Sequence, residues 1–118
     1  MYFNKKKIGV MQGRLSPLYN NKIQSFPKYH WQNEFKKIRE LKMNIMEWTL
    51  DHKEIISNPI NTLEGKKEIV DLKKKYKINI DSLTGDCFMQ KPFWKHKGKK
   101  KDELINIFKL ILHNSSSI

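Results

Sequence analysis

The sequence predicts an α/β fold in which parallel strands alternate with helices. Three short apolar segments, starting near residues 8, 45 and 78, are each followed by a segment with apolar residues three and four positions apart. This repeat of about 33 to 37 residues has the size of one strand–helix–strand step with modest loops. Because a helical crossover brings the chain back to the same end of the sheet, consecutive strands are expected to be parallel.

The first predicted strand covers residues 7–12. Its apolar run ends at Gly13, and it is typical of a strand buried on both faces. A Pro-bearing loop follows, and the first helix is predicted over residues 30–42. Its apolar residues fall on one face, which should be buried: Trp31, Phe35, Ile38 and Leu41.

The second strand is predicted over residues 44–50, and Asn58-Pro59 marks the loop after it. The second helix is predicted over residues 62–76, capped by Asn61 or Thr62. Its apolar stripe consists of Ile69, Val70, Leu72 and Tyr76.

The third strand is predicted over residues 78–84 and ends at Gly85. A loop rich in lysine and aromatic residues, 90–101, leads to a third helix over residues 102–113, opened by Asp102. Its apolar residues should face inward: Leu104, Ile105, Phe108, Ile111 and Leu112. The polar tail after this helix carries no fourth strand.

The net charge of +12 raises the question of a polyanionic partner. Nearly all of the positive charge is lysine, with Arg14 and Arg39 as the two arginines, whereas bidentate recognition of bases and phosphates favours arginine. The composition also matches the residues that AT-rich codons encode. Residues 91–101 mix cations with Phe93 and Trp94, as a single-strand-binding loop does, but a mobile solvated loop is the commoner explanation. We therefore regard a nucleic-acid partner as the less favoured reading.

Several features favour a cytoplasmic protein without a membrane partner. The basic N-terminal segment is not followed by the apolar core of a signal peptide, and the most apolar later segment, 104–112, is too short to span a bilayer. Cys87 is the single cysteine, so an internal disulfide is excluded. No dinucleotide, P-loop or serine-hydrolase motif occurs, and the four histidines lack metal-ligand spacing, so none is assigned a role.

Ligands of parallel α/β folds bind where the strands end, which directs attention to four residues. Gln12 and Arg14 follow the first strand, Glu47 lies late in the second, and Asp86 follows the third. Glu47 lies in an apolar strand, where an ionised carboxylate is costly to bury without a ligand or cation. Each of the other three has a structural alternative: an interior hydrogen bond for Gln12, an ion pair for Arg14 and a turn for Asp86.

The ordered motifs resemble a known family. Residues Ile8–Leu15, IGVMQGRL, are similar to the strand-one signature of sugar-phosphate isomerases/epimerases of the xylose-isomerase-like TIM-barrel superfamily. The match continues, from about residue 6 to 92, through IQSFP at 23–27, HW at 30–31, EF at 34–35, IMEW at 45–48, NP at 58–59 and GDCFM at 85–89.

This resemblance implies that residues 1–118 are the first three β/α units of a (β/α)₈ barrel of roughly 250 residues. It implies a sugar or sugar-phosphate substrate and proton transfer next to a carbonyl. A divalent Mn, Mg or Co ion is expected for the complete barrel, held by residues of its second half, so no catalytic or metal-binding residue is assigned here. Gln12, Arg14, Glu47 and Asp86 would contribute to the substrate pocket.

Because the half that holds the metal ligands is missing, the chain is expected to be inactive alone. A three-strand sheet also has two unpaired edges, so the isolated chain is expected to be marginally stable and to pair with the missing barrel half or with another copy. Two other functions stay open. One is a fragment of an endonuclease-IV-like DNA-repair barrel, and the other is a basic nucleic-acid-binding module.

Overall fold

The computed structural model describes residues 8–118, and it contains a parallel three-stranded sheet with helices. In chain order the strands are β1 (Gly9–Met11), β2 (Ile45–Trp48) and β3 (Asn79–Leu83). The helices are α1 (Trp31–Glu40), α2 (Leu63–Tyr76), α3 (Asp86–Gln90) and α4 (Gly98–Ser115). Three short 3₁₀ helices cover Ile55–Ser57, Pro59–Asn61 and Phe93–Lys95.

The predicted parallel pairing is confirmed. The strand order is β1-β2-β3, and both pairs are parallel. Gly9 lies beside Ile45 in the first pair, which leaves little space, since a Cβ on Gly9 would stand 2.8 Å from the Ile45 side chain. In the second pair the register shifts after Met46, so Glu47 lies opposite Ser82.

The described residues form two compact units. Unit 1 contains the described residues up to Leu50 together with Asp71–Thr84, and unit 2 contains Asp51–Val70 and Gly85–Ile118. The sheet and α1 therefore belong to unit 1, whereas α3 and α4 belong to unit 2.

The core of unit 1 joins α1 to β2. Trp31 on α1 meets Trp48 on β2 with ring centroids 5.6 Å apart, and Phe26 meets the same Trp48 ring at 5.7 Å. Phe35 and Met46 are completely buried. The predicted helix face is thus largely confirmed, although Leu41 is exposed because α1 ends at Glu40, one residue before it.

Strand β1 differs from the prediction of burial on both faces. Ile8 and Gly9 are exposed, and Val10 and Met11 are only half-buried. The physical reason is position: β1 and β3 are the edges of the described sheet, and β2 alone has a neighbour on each side.

The start of α2 is fixed by Thr62 and Gly65. The backbone N–H of Gly65 donates to Thr62 Oγ1 at 3.0 Å, so Thr62 is the cap. A Cβ on Gly65 would collide with the backbone of Pro59, lying 2.5 Å from its Cα. The glycine that weakens the helical pattern is required by this close approach.

Helix α4 begins four residues before the predicted start. Asp102 lies inside it, and Lys97 is the residue before its first turn. The lysines at 99–101 are good helix formers, which explains the earlier start. Leu104 and Ile111 are buried as predicted, but Leu112 is exposed, and its place on the inner face is taken by the buried Asn114.

Asn114 belongs to a hydrogen-bonded network in unit 2. Its amide nitrogen donates to Asn61 Oδ1 at 2.9 Å, and Lys66 Nζ donates to Asn114 Oδ1 at 3.1 Å. Asn61 in turn donates to the carbonyl of Ile55 at 2.7 Å. The network links α4 to the 3₁₀ segments through satisfied polar groups.

In residues 8–118, no helix is both long enough and apolar enough to cross a membrane.

Candidate functional site

Gln12 is held in a fixed position where β1 ends. Its backbone N–H donates to the Glu47 carbonyl at 2.9 Å, which extends the pairing of β1 with β2 by one residue. Its side-chain oxygen accepts from the Thr49 backbone N–H at 3.0 Å, and its own carbonyl accepts from the Thr49 hydroxyl at 2.8 Å. Both of these bonds are buried, so the Gln12 amide is oriented before any ligand arrives.

The other end of the Gln12 amide has no acceptor. Gln12 is 1% exposed, and its Nε2 has no hydrogen-bond partner among residues 8–118. A buried amide N–H that lacks an acceptor costs free energy, on the order of 1–3 kcal/mol. The carboxyl end of β1 thus carries a buried amide donor that has no acceptor among the described residues.

Glu47 presents its carboxylate on the opposite sheet face from the buried core. Met46 and Trp48, its neighbours in β2, are completely buried, whereas Glu47 is half-buried. Alternate side chains of a strand point to opposite faces. Glu47 Oε2 accepts from the Ser82 hydroxyl at 2.7 Å. The Glu47 carboxylate is thus only half-buried, and its part in substrate binding stays a prediction.

Thr84 continues the same edge after β3. Its backbone N–H donates to the Trp48 carbonyl at 2.7 Å, and its hydroxyl accepts from the Leu50 N–H at 3.2 Å. Thr84 and Thr49 are both buried. Sequence reasoning missed these two threonines, although each lies at or near the end of a predicted strand and could have been found by that position.

The turn after β1 is held by a buried carboxylate, Glu34, that the sequence reading did not select. Glu34 lies on α1 and is 0% exposed. Both of its oxygens lie 2.7 Å from the Gly13 N–H, and one accepts from the Leu15 N–H at 3.3 Å. Gly13 has a φ of +101°, and a Cβ there would lie 2.7 Å from the Ser25 carbonyl, so glycine is required.

Burial raises the pKa of the Glu34 carboxyl above its usual value. The hydrogen bonds from Gly13, Leu15 and Ser16, and the charge of Lys37, act in the opposite direction. The signal in the sequence was the spacing, since a residue three positions after Trp31 falls on the buried stripe of α1.

Arg14 lies in the turn that Glu34 fixes. Its backbone N–H donates to the Met11 carbonyl at 3.2 Å, and the residue is exposed. No ion pair joins it to Glu47 in the described part of the chain. The ion-pair alternative with Glu47 is therefore not supported, and Arg14 is exposed to solvent.

Asp86 lies in unit 2. It is half-buried and is the first residue of α3, directly after Gly85. Its neighbour Cys87 is buried, and burial raises the pKa of the Cys87 thiol to about 11. That thiol is therefore protonated at neutral pH and is not a nucleophile.

The residues present do not fit a metal site. Across residues 8–118, no group of three or more His, Cys, Asp or Glu side chains is arranged to hold an ion. We assign no metal ligand among the described residues.

Comparison with known proteins identified no relative: no family model, no curated protein and no solved structure matches this chain.

Proposed function

We propose that this chain forms the first three β/α units of a cytoplasmic sugar or sugar-phosphate isomerase/epimerase of the xylose-isomerase-like barrel type. The proposal combines the resemblance of residues 6–92 with the parallel order β1-β2-β3, which is the order of consecutive barrel strands. In the complete enzyme, proton transfer next to a carbonyl interconverts the sugars. The role of this chain is to bind the substrate, and none of its residues is assigned to the proton-transfer step.

The observation that carries the proposal is the unsatisfied Gln12 amide nitrogen. A sugar hydroxyl or carbonyl oxygen would accept its hydrogen bond and remove the cost of the buried donor. On the next strand, the half-buried Glu47 carboxylate can accept from a second hydroxyl while it keeps Ser82. Recognition of a polyhydroxylated molecule requires both hydrogen-bond donors and acceptors, and Gln12 and Glu47 would supply one of each.

Arg14 extends this pocket toward a phosphate. Its guanidinium is always charged and offers paired N–H groups to an oxyanion. It is exposed in the turn two residues after Gln12, so a phosphorylated sugar would place its anionic end there. Sugar phosphates are therefore expected to bind more tightly than the free sugars. The edges β1 and β3 would pair with further strands of the barrel.

The test is a ¹H–¹⁵N NMR titration of the full chain with aldoses, ketoses and their phosphates at millimolar concentration. Binding should shift the signals of Gln12, Arg14, Glu47 and Ser82, and phosphorylated sugars should do so at lower concentration. Gln12→Met should abolish these shifts. Gln24→Met, the same change at an exposed loop position, should leave them intact.

A second variant distinguishes loss of sugar binding from loss of folding. Gln12→Met also removes the acceptor of the Thr49 N–H, whereas Glu47→Gln keeps an oxygen for the Ser82 hydroxyl. Glu47→Gln should retain the wild-type spectrum and weaken sugar binding. The proposal fails if no sugar shifts these signals, or if inorganic phosphate alone produces the same shifts as the sugar phosphates.

A further inference from the structure

Unit 2 carries a dense basic segment, residues 91–101, that the proposed sugar pocket does not use. It contains no acidic residue and six lysines: Lys91, Lys95, Lys97, Lys99, Lys100 and Lys101. The sequence favours a mobile solvated loop here, but the structure builds the segment from regular elements. Phe93–Lys95 form a 3₁₀ helix, and α4 begins at Gly98.

Two lysines of this segment, Lys91 and Lys100, act on the same histidine. Burial lowers the pKa of the His52 imidazole, and the charges of Lys100 and Lys91 lower it further, so cations from the two ends of the segment lie near the same ring. Gln90 fixes this region, because its oxygen accepts from the His52 N–H at 2.7 Å and its nitrogen donates to Asp51 at 3.0 Å.

Three of these lysines lie at the N-terminal end of α4, directly before Asp102 and Glu103. Lys99, Lys100 and Lys101 lie in or next to the first turn of α4, which contains no acidic residue. The N-terminal end of a helix carries a partial positive charge and is stabilised by acidic groups. A phosphate-bearing ligand would relieve the repulsion among these charges.

The same segment contains an exposed tryptophan, Trp94, that contacts a cluster of aromatic rings. Phe88 and Phe93 both contact Phe108, with ring centroids 5.1 Å and 6.0 Å away, and Phe93 and Phe108 are stacked. Trp94 contacts Phe93 at 5.3 Å and is 54% exposed. A tryptophan that is held in place and open to solvent can stack on an unpaired base.

We infer that residues 91–101 form a binding surface for single-stranded nucleic acid, in which the lysines contact phosphates and Trp94 stacks on a base. A single strand fits better than a duplex, because its bases are free to stack. Lysine contacts the backbone as a point charge and does not read base edges in pairs, so binding is independent of sequence. This surface shares no residue with the proposed sugar pocket, and the inference does not depend on the proposed function.

The test measures binding of the full chain to a fluorescein-labelled oligothymidylate of about 15 nucleotides by anisotropy, from about 50 to 200 mM salt. Changing Lys99, Lys100 and Lys101 to Gln should weaken binding at least about tenfold at low salt. It should also reduce the salt slope by about 2, the counterions of three lost contacts. The matched control changes Lys73, Lys74 and Lys75 to Gln on α2, which removes the same charge next to another aromatic residue, Tyr76. It should change the affinity less than about threefold.

The Trp94 variants separate stacking from charge. Trp94→Ala should weaken oligothymidylate binding roughly 5- to 150-fold, and Trp94→Phe should restore most of it. Binding of inorganic polyphosphate, which has no base, should not change in Trp94→Ala. Trp31 and Trp48 are buried, so quenching of tryptophan fluorescence by the oligonucleotide should disappear with Trp94.

Three results would overturn the inference. The first is equal loss of affinity in the two lysine triples, which would show attraction by net charge alone. The second is an unchanged affinity in Trp94→Ala. The third is binding of a duplex, or of phosphatidylserine vesicles, at least as tightly as the oligothymidylate, which would assign the surface to a different partner.

Discussion

Replacing Glu34 tests the hydrogen bonds that hold the turn after β1. In Glu34→Ala, the Gly13 and Leu15 N–H groups lose their carboxylate acceptor inside the protein. An unsatisfied buried donor costs about 1–3 kcal/mol, so the loss of both acceptors should lower the unfolding free energy by roughly 2–6 kcal/mol. Glu34→Gln keeps one carbonyl oxygen as an acceptor, and its loss should be smaller, about 1–3 kcal/mol.

The matched control lies on the same helix. Glu40 is exposed, and its ion pair with Lys36 is long, at 3.9 Å. Glu40→Gln should therefore change the unfolding free energy by less than about 0.5 kcal/mol. Urea unfolding followed by tryptophan fluorescence is a suitable assay, because Trp31 and Trp48 are buried in the unit that Glu34 stabilises.

The pH dependence of unfolding gives a second readout for Glu34. Because its pKa is raised in the folded protein, the folded state binds more protons than the unfolded chain between the usual value of 4.5 and the raised value. The contribution of this group is therefore fully present below 4.5 and is lost as the pH rises through the raised pKa. The difference in stability between wild type and Glu34→Gln should follow that direction. The reasoning would be refuted if Glu34→Gln were no more destabilising than Glu40→Gln.

Two further predictions concern unit 2. Gly65→Ala should destabilise the protein, because the collision with the Pro59 backbone costs about 1–3 kcal/mol and outweighs the gain in helix propensity of about 1 kcal/mol. Gly85→Ala is the control and should be tolerated, because the nearest contact of its Cβ would be at 3.7 Å. Equal urea midpoints for the two variants would contradict this account. Burial raises the pKa of the Cys87 thiol to about 11. At pH 8 this thiol should therefore react with a disulfide reagent far more slowly in the native protein than in urea. Equal rates would show that the thiol is not buried.

The three strands and the three long helices could be predicted because each has a local cause, whereas α3 and the 3₁₀ helices were not predicted. The spacing of Trp31, Phe35 and Ile38 marks one helix face, and the apolar runs near residues 8, 45 and 78 mark the strands. The predicted start of α4 was wrong. Aspartate commonly caps helices, which predicts Asp102 as the cap, but the helix includes the lysines that precede it. Local propensity did not distinguish these two starts.

The site was predictable by position but not by its contacts. Gln12 and Glu47 were selected because parallel strands gather their carboxyl ends, and the two residues do lie on neighbouring strands. The bond from the Thr49 N–H to Gln12 joins residues 37 positions apart, and no local pattern specifies it. Glu34 was missed because a charged residue does not fit the apolar periodicity of the α1 stripe. That same misfit marks a buried carboxylate, which accepts hydrogen bonds from backbone N–H groups.

The most direct test of the sugar-binding account observes the side-chain amide of Gln12 itself. In the free protein its Nε2 has no acceptor among the described residues, so the two amide proton signals should lie at the higher field typical of weak hydrogen bonding. Saturation with a bound sugar phosphate should move these signals downfield, while those of Gln24 remain fixed. Binding of a sugar phosphate that leaves the Gln12 amide signals unchanged would contradict the account.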